Sequence, residues 1–318
     1  VVAIGSIVIA GMVKNGYPQE FGAGVICNAG TLGILIPPSI VMVVYAAITE
    51  VSVGRIFLAG VVPGIVLGLM LMVAVWWRAG KLKTTPPPKA STREVLRALR
   101  ESLWGLMLLV IIMGGIYGGI FTPTEGAAIG ATLTLISTLL QRKLTLQKAV
   151  ESIRTTAVTS GMIFMIFIGA DMMNAALALS QLPNQLADLI AHAAIPPVVV
   201  MAVIMMFYVA LGCVMDEMSM ILLTVPVIFP VIMGLDFFGL EASDKALWFG
   251  ILILTVCAIG MIFPPVGLNV YVMNGLAKDV PMIETYKGVM IFLAWDFIRL
   301  ALLILFPGIT LWLVHLLT

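Results

Sequence analysis

Long stretches without Asp, Glu, Lys or Arg recur along this chain, among them 21–49, 56–77, 102–124, 189–215, 218–235 and 246–277. Several are long enough to cross the hydrocarbon core of a bilayer as a helix, which takes about 20 residues. With 61% hydrophobic and 10% charged residues and a mean hydropathy of +1.15, the chain lacks the polar surface that a soluble domain of 318 residues needs. The short alternating segments of a β-barrel are not seen. The pattern predicts an all-α polytopic membrane protein in which the lipid bilayer is the first partner. A net charge of +1 and no basic, aromatic-interleaved patch point away from nucleic acid. The chain begins at Val1 inside an apolar pattern, so it reads as a fragment, and the lack of a signal peptide carries no information.

Loop charge gives a topology. Residues 78–100 hold seven Lys/Arg and one acid, which places them in the cytoplasm. From there, 103–121 run outward, 125–140 return to the basic loop "QRKLTLQK", and 156–180 run out again. A polar segment, 181–195, reads as a short interfacial helix. Residues 197–232 form two apolar arms around "GCVMDEMS", either a re-entrant hairpin with its tip inside the membrane or two full spans. The acidic loop "GLDFFGLEASDK" that follows suits the outside, so 246–277 run inward.

Two of these segments are interrupted. "GILIPPSIVMVVYA" starts at Gly33 and "GMIFPPVGLNVYV" at Gly260; Gly33, Pro37 and Pro38 recur at one constant offset as Gly260, Pro264 and Pro265. A second proline cannot donate a backbone hydrogen bond, and the residue before it is biased away from the α region. The charge-derived topology gives the two segments opposite orientations, the signature of an inverted repeat. Unwound backbone at membrane depth persists only in a packed interior or along a cavity, where its carbonyls can coordinate a cation. The competing reading of each break is a plain structural kink.

The charges inside apolar stretches are Glu125, Asp171, Asp216, Glu217 and the pair Asp296 and Arg299. Asp296 and Arg299 are three apart and can neutralise each other on one helix face, as a structural pair or an inter-subunit contact. Glu125 follows "FTPT", with Thr124 as a candidate cap and Glu125 in the first turn. Asp171 stays unassigned, with a packed interior as one option. Asp216, near Gly212 and Ser219, either organises an ion site or caps the hairpin's second arm. Cys27, Cys213 and Cys257 read as small buried residues, and His192 and His315 as interfacial or structural. The 21 methionines read as apolar filler. No Walker motif, metal-ligand cluster or nucleophile–base arrangement is present in the sequence, so an enzyme is not expected.

Five motifs in order resemble the large membrane subunit of the tripartite ATP-independent periplasmic (TRAP) transporters. They are "KNGYPQEFGAGVICNAGTLGILIPPSIVMVVYA", "GRIFLAGVVPGI", "GGIFTPTEGAAIGA", "LGCVMDEMSMILLTVPVIFPVI" and "AIGMIFPPVGLNVYVMNGLA". The resemblance implies an inverted-repeat elevator-type transporter of the ion transporter superfamily in the bacterial inner membrane. It implies sodium as coupling ion with no other cofactor, a small membrane partner subunit, and a periplasmic substrate-binding protein that selects an organic acid such as a C4-dicarboxylate or sialic acid. Its ion and substrate region falls on Asn28, Gly30, Thr31, Gly33, Pro37, Pro38 and Ser39, and on Gly212, Asp216, Ser219, Thr255, Gly260, Pro264, Pro265 and Asn269.

The expected division follows. Residues 1–101 are part of the first repeat: the end of an inward hairpin (1–13), broken helix 21–49, helix 56–77 and linker 78–101. Residues 102–318 are the second: helices 103–180, outward hairpin 197–232, broken helix 246–277 and C-terminal helix 288–316. Other functions compatible with the sequence are a self-sufficient sodium/dicarboxylate-type symporter and a non-transporting membrane scaffold. Partner dependence separates the first from the leading reading. A scaffold has no use for paired midplane breaks.

Overall fold

A computed structural model describes residues 8–9, 11–82, 91–181, 185, 195–276 and 281–317. The start of the inward hairpin arm, the proline-rich core of the linker, most of the expected interfacial helix at 181–195, and His192 lie outside these residues. The described residues are helical, with no strand among them. Among the described residues, six helices are long and apolar enough to span a membrane, and one bent pair adds a seventh if it counts as a single span.

The chain forms two compact units, Val1–Pro86 with Ala170–Thr318, and Pro87–Gly169. This grouping is by packing. The repeat boundary expected at 101/102 concerns orientation across a bilayer and is a different partition.

The first unit contains α1 (Gln19–Ala29), α2 (Leu32–Leu35), α3 (Ile40–Thr49) and α4 (Val53–Ala79). After the second unit the chain returns with α8 (Pro197–Gly212), α9 (Glu217–Gly234), α10 (Ala242–Gly260), α11 (Leu268–Leu276), α12 (Met282–Leu305) and α13 (Gly308–Leu317). The core is α10, whose residues from Asp244 to Gly260 are all buried. A helix apolar on every side has to be enclosed by other helices.

Polar bonds tie α10 to its neighbours, and those from Trp248 and Lys245 reach carbonyls left free near the C-termini of other helices. Trp248 Nε1 donates to Leu303 O at 2.8 Å in the last turn of α12. Tyr45 Oη on α3 donates to Ala246 O at 2.7 Å. Lys245 Nζ donates to Leu235 O at 2.5 Å and Met233 O at 3.2 Å, covering carbonyls at the C-terminus of α9. Asp244 joins α4 and α13, lying 3.4 Å from Arg55 Nη2 and 2.7 Å from His315 Nε2. His315 is therefore structural, as expected.

The second unit holds α5 (Thr92–Tyr117), α6 (Pro123–Leu140) and most of α7 (Leu146–Ser180). Phe121 sits on Gly126, where an added Cβ would lie 3.2 Å from its ring, and its ring leaves no room for a Cβ on Gly115. Many large apolar side chains on α5 and α7 are exposed, including Val110, Ile153 and Phe164. Surface of that kind belongs against lipid or another membrane protein.

Four expectations change in detail. The cap of α6 is Thr122, not Thr124. Thr122 N donates to Glu125 Oε2 at 2.7 Å and Glu125 N to Thr122 Oγ1 at 3.3 Å, a capping box with Pro123 in the first turn. Asp171 is exposed rather than packed. Helix α7 starts at Leu146, ten residues before the expected 156, because its basic first turns remain helical. The C-terminal helix 288–316 is two helices, α12 and α13. Phe306 leaves the helical region (φ −127°, ψ 76°) before Pro307, as the residue preceding a proline tends to.

Candidate functional site

The first interruption starts where α1 ends. Gly30 N donates to Ile26 O at 2.9 Å and Thr31 N to Asn28 O at 3.0 Å, so the helix tightens before it stops. Short α2 follows, and the chain then turns extended at Ile36 (φ −87°, ψ 118°) and Ser39 (φ −122°, ψ 127°). Pro37 and Pro38 have no N–H to offer the carbonyls of Gly33 and Ile34. The axis bends by 42° between the two halves. Asn28, Thr31, Pro37 and Ser39 are buried, while Gly33 and Pro38 are exposed. Gly60 on α4 lets the break pack closely, since an added Cβ there would lie 2.7 Å from Leu35 O.

The second interruption is more fully bonded. Phe263 N donates to Gly260 O at 3.2 Å, and Asn269 N closes the loop onto Met261 O at 2.9 Å. Gly267 has φ +52°, in the left-handed region that favours glycine. Tyr286 Oη on α12 lies 2.8 Å from Pro265 O and 2.7 Å from Val266 O. Both Pro-Pro peptide bonds are cis.

The hairpin tip meets the second interruption. Helices α8 and α9 lie side by side, with Thr224 Oγ1 donating to Tyr208 Oη at 2.7 Å. At the tip, a Cβ added to Gly212 would lie 3.0 Å from Gly260 Cα. Cys213 Sγ is 3.5 Å from Pro264 O. Asp216 caps α9. Its Oδ1 accepts from Met218 N and Ser219 N, both at 3.0 Å, and its Oδ2 from Ser219 Oγ at 2.5 Å.

The two interruptions also touch one another. Asn269 Nδ2 donates to Cys27 O at 3.4 Å, and Cys27 Sγ lies 3.6 Å from Asn269 O. Next along α1, Asn28 Nδ2 donates to Asp296 Oδ2 at 2.9 Å, and Thr31 Oγ1 donates to Asn28 O at 2.7 Å.

Of the residues expected at the site, the fold thus gathers Gly212 with Gly260 and Pro264, and it bonds Asn269 to Cys27, the residue before Asn28. Thr255 stays apart, with its hydroxyl turned onto Ile251 O of its own helix at 2.8 Å. Sequence reading missed Tyr286, which carries no distinguishing signal. It also missed the link of Asp296 to Asn28, although the charge itself stood out. No group of three or more His, Cys, Asp or Glu that could hold a metal occurs among the described residues.

The family model for the DctM component of the tripartite ATP-independent periplasmic transporters matches residues 1–309. The chain belongs to this family. It is 41% identical over 306 residues to the C4-dicarboxylate TRAP transporter large permease protein DctM of Pseudomonas aeruginosa, covering 96% of this chain and 69% of that relative. It is 33% identical over 309 residues to the sialic acid TRAP transporter large permease protein SiaM of Vibrio cholerae, covering 97% and 70%. The 2,3-diketo-L-gulonate TRAP transporter large permease protein YiaN of Escherichia coli is 30% identical over 277 residues, covering 87% and 64%. The resemblance carried by the five motifs is thereby established: this is a TRAP transporter large subunit, a multi-pass membrane protein.

Within a TRAP large subunit, Asp216 distinguishes a cap from an ion-site residue. Asparagine caps helices about as well as aspartate, whereas alanine costs about 1 kcal/mol. Asp216→Ala should therefore lower the thermal midpoint of the purified complex and Asp216→Asn should not. If the charge serves a cation, Asp216→Asn should raise the half-saturating sodium concentration for uptake by about fivefold or more, equivalent to about 1 kcal/mol. An unchanged sodium curve with Asp216→Asn leaves Asp216 as a cap alone.

Proposed function

We propose that this chain is the transport subunit of a sodium-coupled, binding-protein-dependent secondary importer of organic acids in the bacterial inner membrane. The observation that carries the reading is the convergence of two interrupted helices and a hairpin tip within one compact unit, in a chain of the TRAP large-subunit family. Interrupted helices present backbone oxygens and helix termini, and those suit a hard cation and an anionic substrate respectively.

One sodium is assigned to the meeting of Gly212–Ser219 with Gly260–Pro265, and a second to Gly30–Ser39. Thr31, Ser39, Ser219 and Asn269 supply neutral oxygens. Asp216 supplies charge, directly or through Ser219. Thr255 remains a candidate oxygen, since a hydroxyl that donates to its own helix keeps its lone pairs. The inverted-repeat and elevator description, with 1–101 and 102–318 as the two repeats, rests on the family resemblance and on the opposite charge-derived orientation of the two breaks. The relatives are named as permeases, which agrees with a transporter rather than an enzyme.

The substrate class is a small carboxylate. Relatives named for C4-dicarboxylates are 40–41% identical, against 33% for the one named for sialic acid, so a C4-dicarboxylate is the first substrate to test. The partners are a small TRAP membrane subunit and a periplasmic substrate-binding protein. The test is reconstitution of the complete large subunit in liposomes with each component omitted in turn. Uptake should fall to background without either partner. Uptake of free substrate by the large subunit alone would instead favour a self-sufficient sodium/dicarboxylate-type symporter.

A further inference from the structure

Asp296 and Arg299, on α12, are 2% and 1% exposed. Arg299 Nη2 lies 3.2 Å from Asp296 Oδ1, near enough for an ion pair. Yet Nε, Nη1 and Nη2 make no hydrogen bond among the described residues, so the fork is not aligned on the carboxylate. Buried Arg–carboxylate pairs normally use that fork, because misalignment forfeits the hydrogen bonds that offset desolvation. Here the better-placed donor to Asp296 is the Asn28 side-chain amide, at 2.9 Å.

An ionised carboxylate only accepts hydrogen bonds, so it fixes which way the amide points. The Asn28 nitrogen faces Asp296, and its oxygen must face away. That oxygen has no partner among the described residues, on a side chain that is 0% exposed. A fully buried acceptor left without a donor is costly unless a cation or water completes it. In the chain, Asn28 follows Cys27, whose carbonyl accepts from the second half-helix, and its own backbone carbonyl accepts from Thr31 at the start of the first break.

We propose that Asp296 and Arg299 are positioning residues for the coupling cation: the ion pair orients the Asn28 amide so that Oδ1 is presented as a ligand where the two interrupted helices meet. Arg299 keeps Asp296 charged and in place, Asp296 holds the amide nitrogen, and Asn28 Oδ1 takes the cation. The inference rests on the sodium reading given above. Neither Asp296 nor Arg299 needs to touch the ion.

The test is a sodium titration of the thermal midpoint of the purified complex, with choline replacing sodium at constant ionic strength. A cation that binds only the folded state raises that midpoint. Asp296→Asn/Arg299→Gln replaces the acceptor-only carboxylate with an amide that can donate as well as accept, so the Asn28 amide loses its fixed direction and the half-effective sodium concentration should rise by about threefold. Asp296→Leu/Arg299→Met removes both charges and the acceptor, and should raise it by about tenfold, as Asn28→Ala does. Combined with Asn28→Ala, the Leu/Met pair should add nothing, because both changes break one chain of contacts.

Should the Leu/Met pair not assemble, Asp296→Gln/Arg299→Gln moves the acceptor by one carbon. It should give about a threefold shift that vanishes in Asn28→Ala. Shifts that add to that of Asn28→Ala, or variants that lower the midpoint with an unchanged sodium response, overturn the inference and leave the pair structural. A wild-type midpoint indifferent to sodium overturns both the inference and the sodium reading beneath it.

Discussion

Gly260→Ala should reduce uptake by the reconstituted complex by about 100-fold, the scale of loss expected when a site is displaced by an ångström. The reason is the contact between two backbones. A Cβ on Gly260 would lie 2.6 Å from Gly212 Cα and 2.8 Å from Gly212 C. Neither atom belongs to a side chain that can swing aside, so the hairpin tip has to move off the second break. The Cys213–Pro264 contact at 3.5 Å would go with it. Overpacking of this kind costs about 1–3 kcal/mol, enough to shift a tip without unfolding a bundle. Gly234→Ala is the control, since nothing lies within 4 Å of a Cβ added there. If Gly260→Ala transports as well as Gly234→Ala, the tip and the break do not work together, and the first proposed sodium position is wrong.

Gly24→Val should destabilise the protein by about 3 kcal/mol or more, at the upper end for an overpacked contact. Helices α1 and α12 cross so closely at Gly24 and Gly288 that a Cβ on Gly24 would lie 2.5 Å from Gly288 C and 2.6 Å from Gly288 O. Small residues at such crossings let membrane helices approach without a hydrophobic driving force. The same crossing sets the register of Asn28 against Asp296, so the variant should lower the thermal midpoint and blunt its response to sodium together. Gly68→Ala, whose nearest new neighbour would be Leu32 Cδ2 at 3.9 Å, should change neither. A Gly24→Val protein with a wild-type midpoint would show that the two helices are free to separate.

Much of the architecture was legible because bilayer physics leaves few choices. Charge-free runs gave α4, α10 and both interrupted helices, and two adjacent prolines located each break to within a residue or two. The "FTPTE" start of α6 was legible as a cap, but the wrong threonine was chosen. The S/T-x-x-E spacing points to Thr122 rather than to Thr124, the residue beside Glu125. The C-terminal break at Pro307 was present in the sequence and was overridden by the surrounding apolar run.

What stayed hidden were contacts between residues far apart in the chain. The reciprocal bonding of Cys27 and Asn269, the Tyr286 hydroxyl on the Pro265 and Val266 carbonyls, and the Asn28–Asp296 bond depend on which helices become neighbours. No local periodicity encodes that. Asp216 lies between the two apolar arms, where it caps α9, and the approach of Gly212 to Gly260 rests on two glycines whose partner only the packing identifies. The uneven bonding of the two breaks was likewise invisible. Both sequences lack the same N–H donors, yet Gly260 and Met261 find replacement donors in Phe263 and Asn269.

The central claim is that these breaks couple sodium to organic-acid import. It is tested most directly by uptake of labelled C4-dicarboxylate into proteoliposomes holding the complete large subunit, its small membrane partner and the substrate-loaded binding protein. Sodium is varied at fixed pH with the proton gradient collapsed. Uptake should rise with sodium to saturation and fall to background when choline replaces it. Uptake that ignores sodium and follows a proton gradient alone would contradict the account.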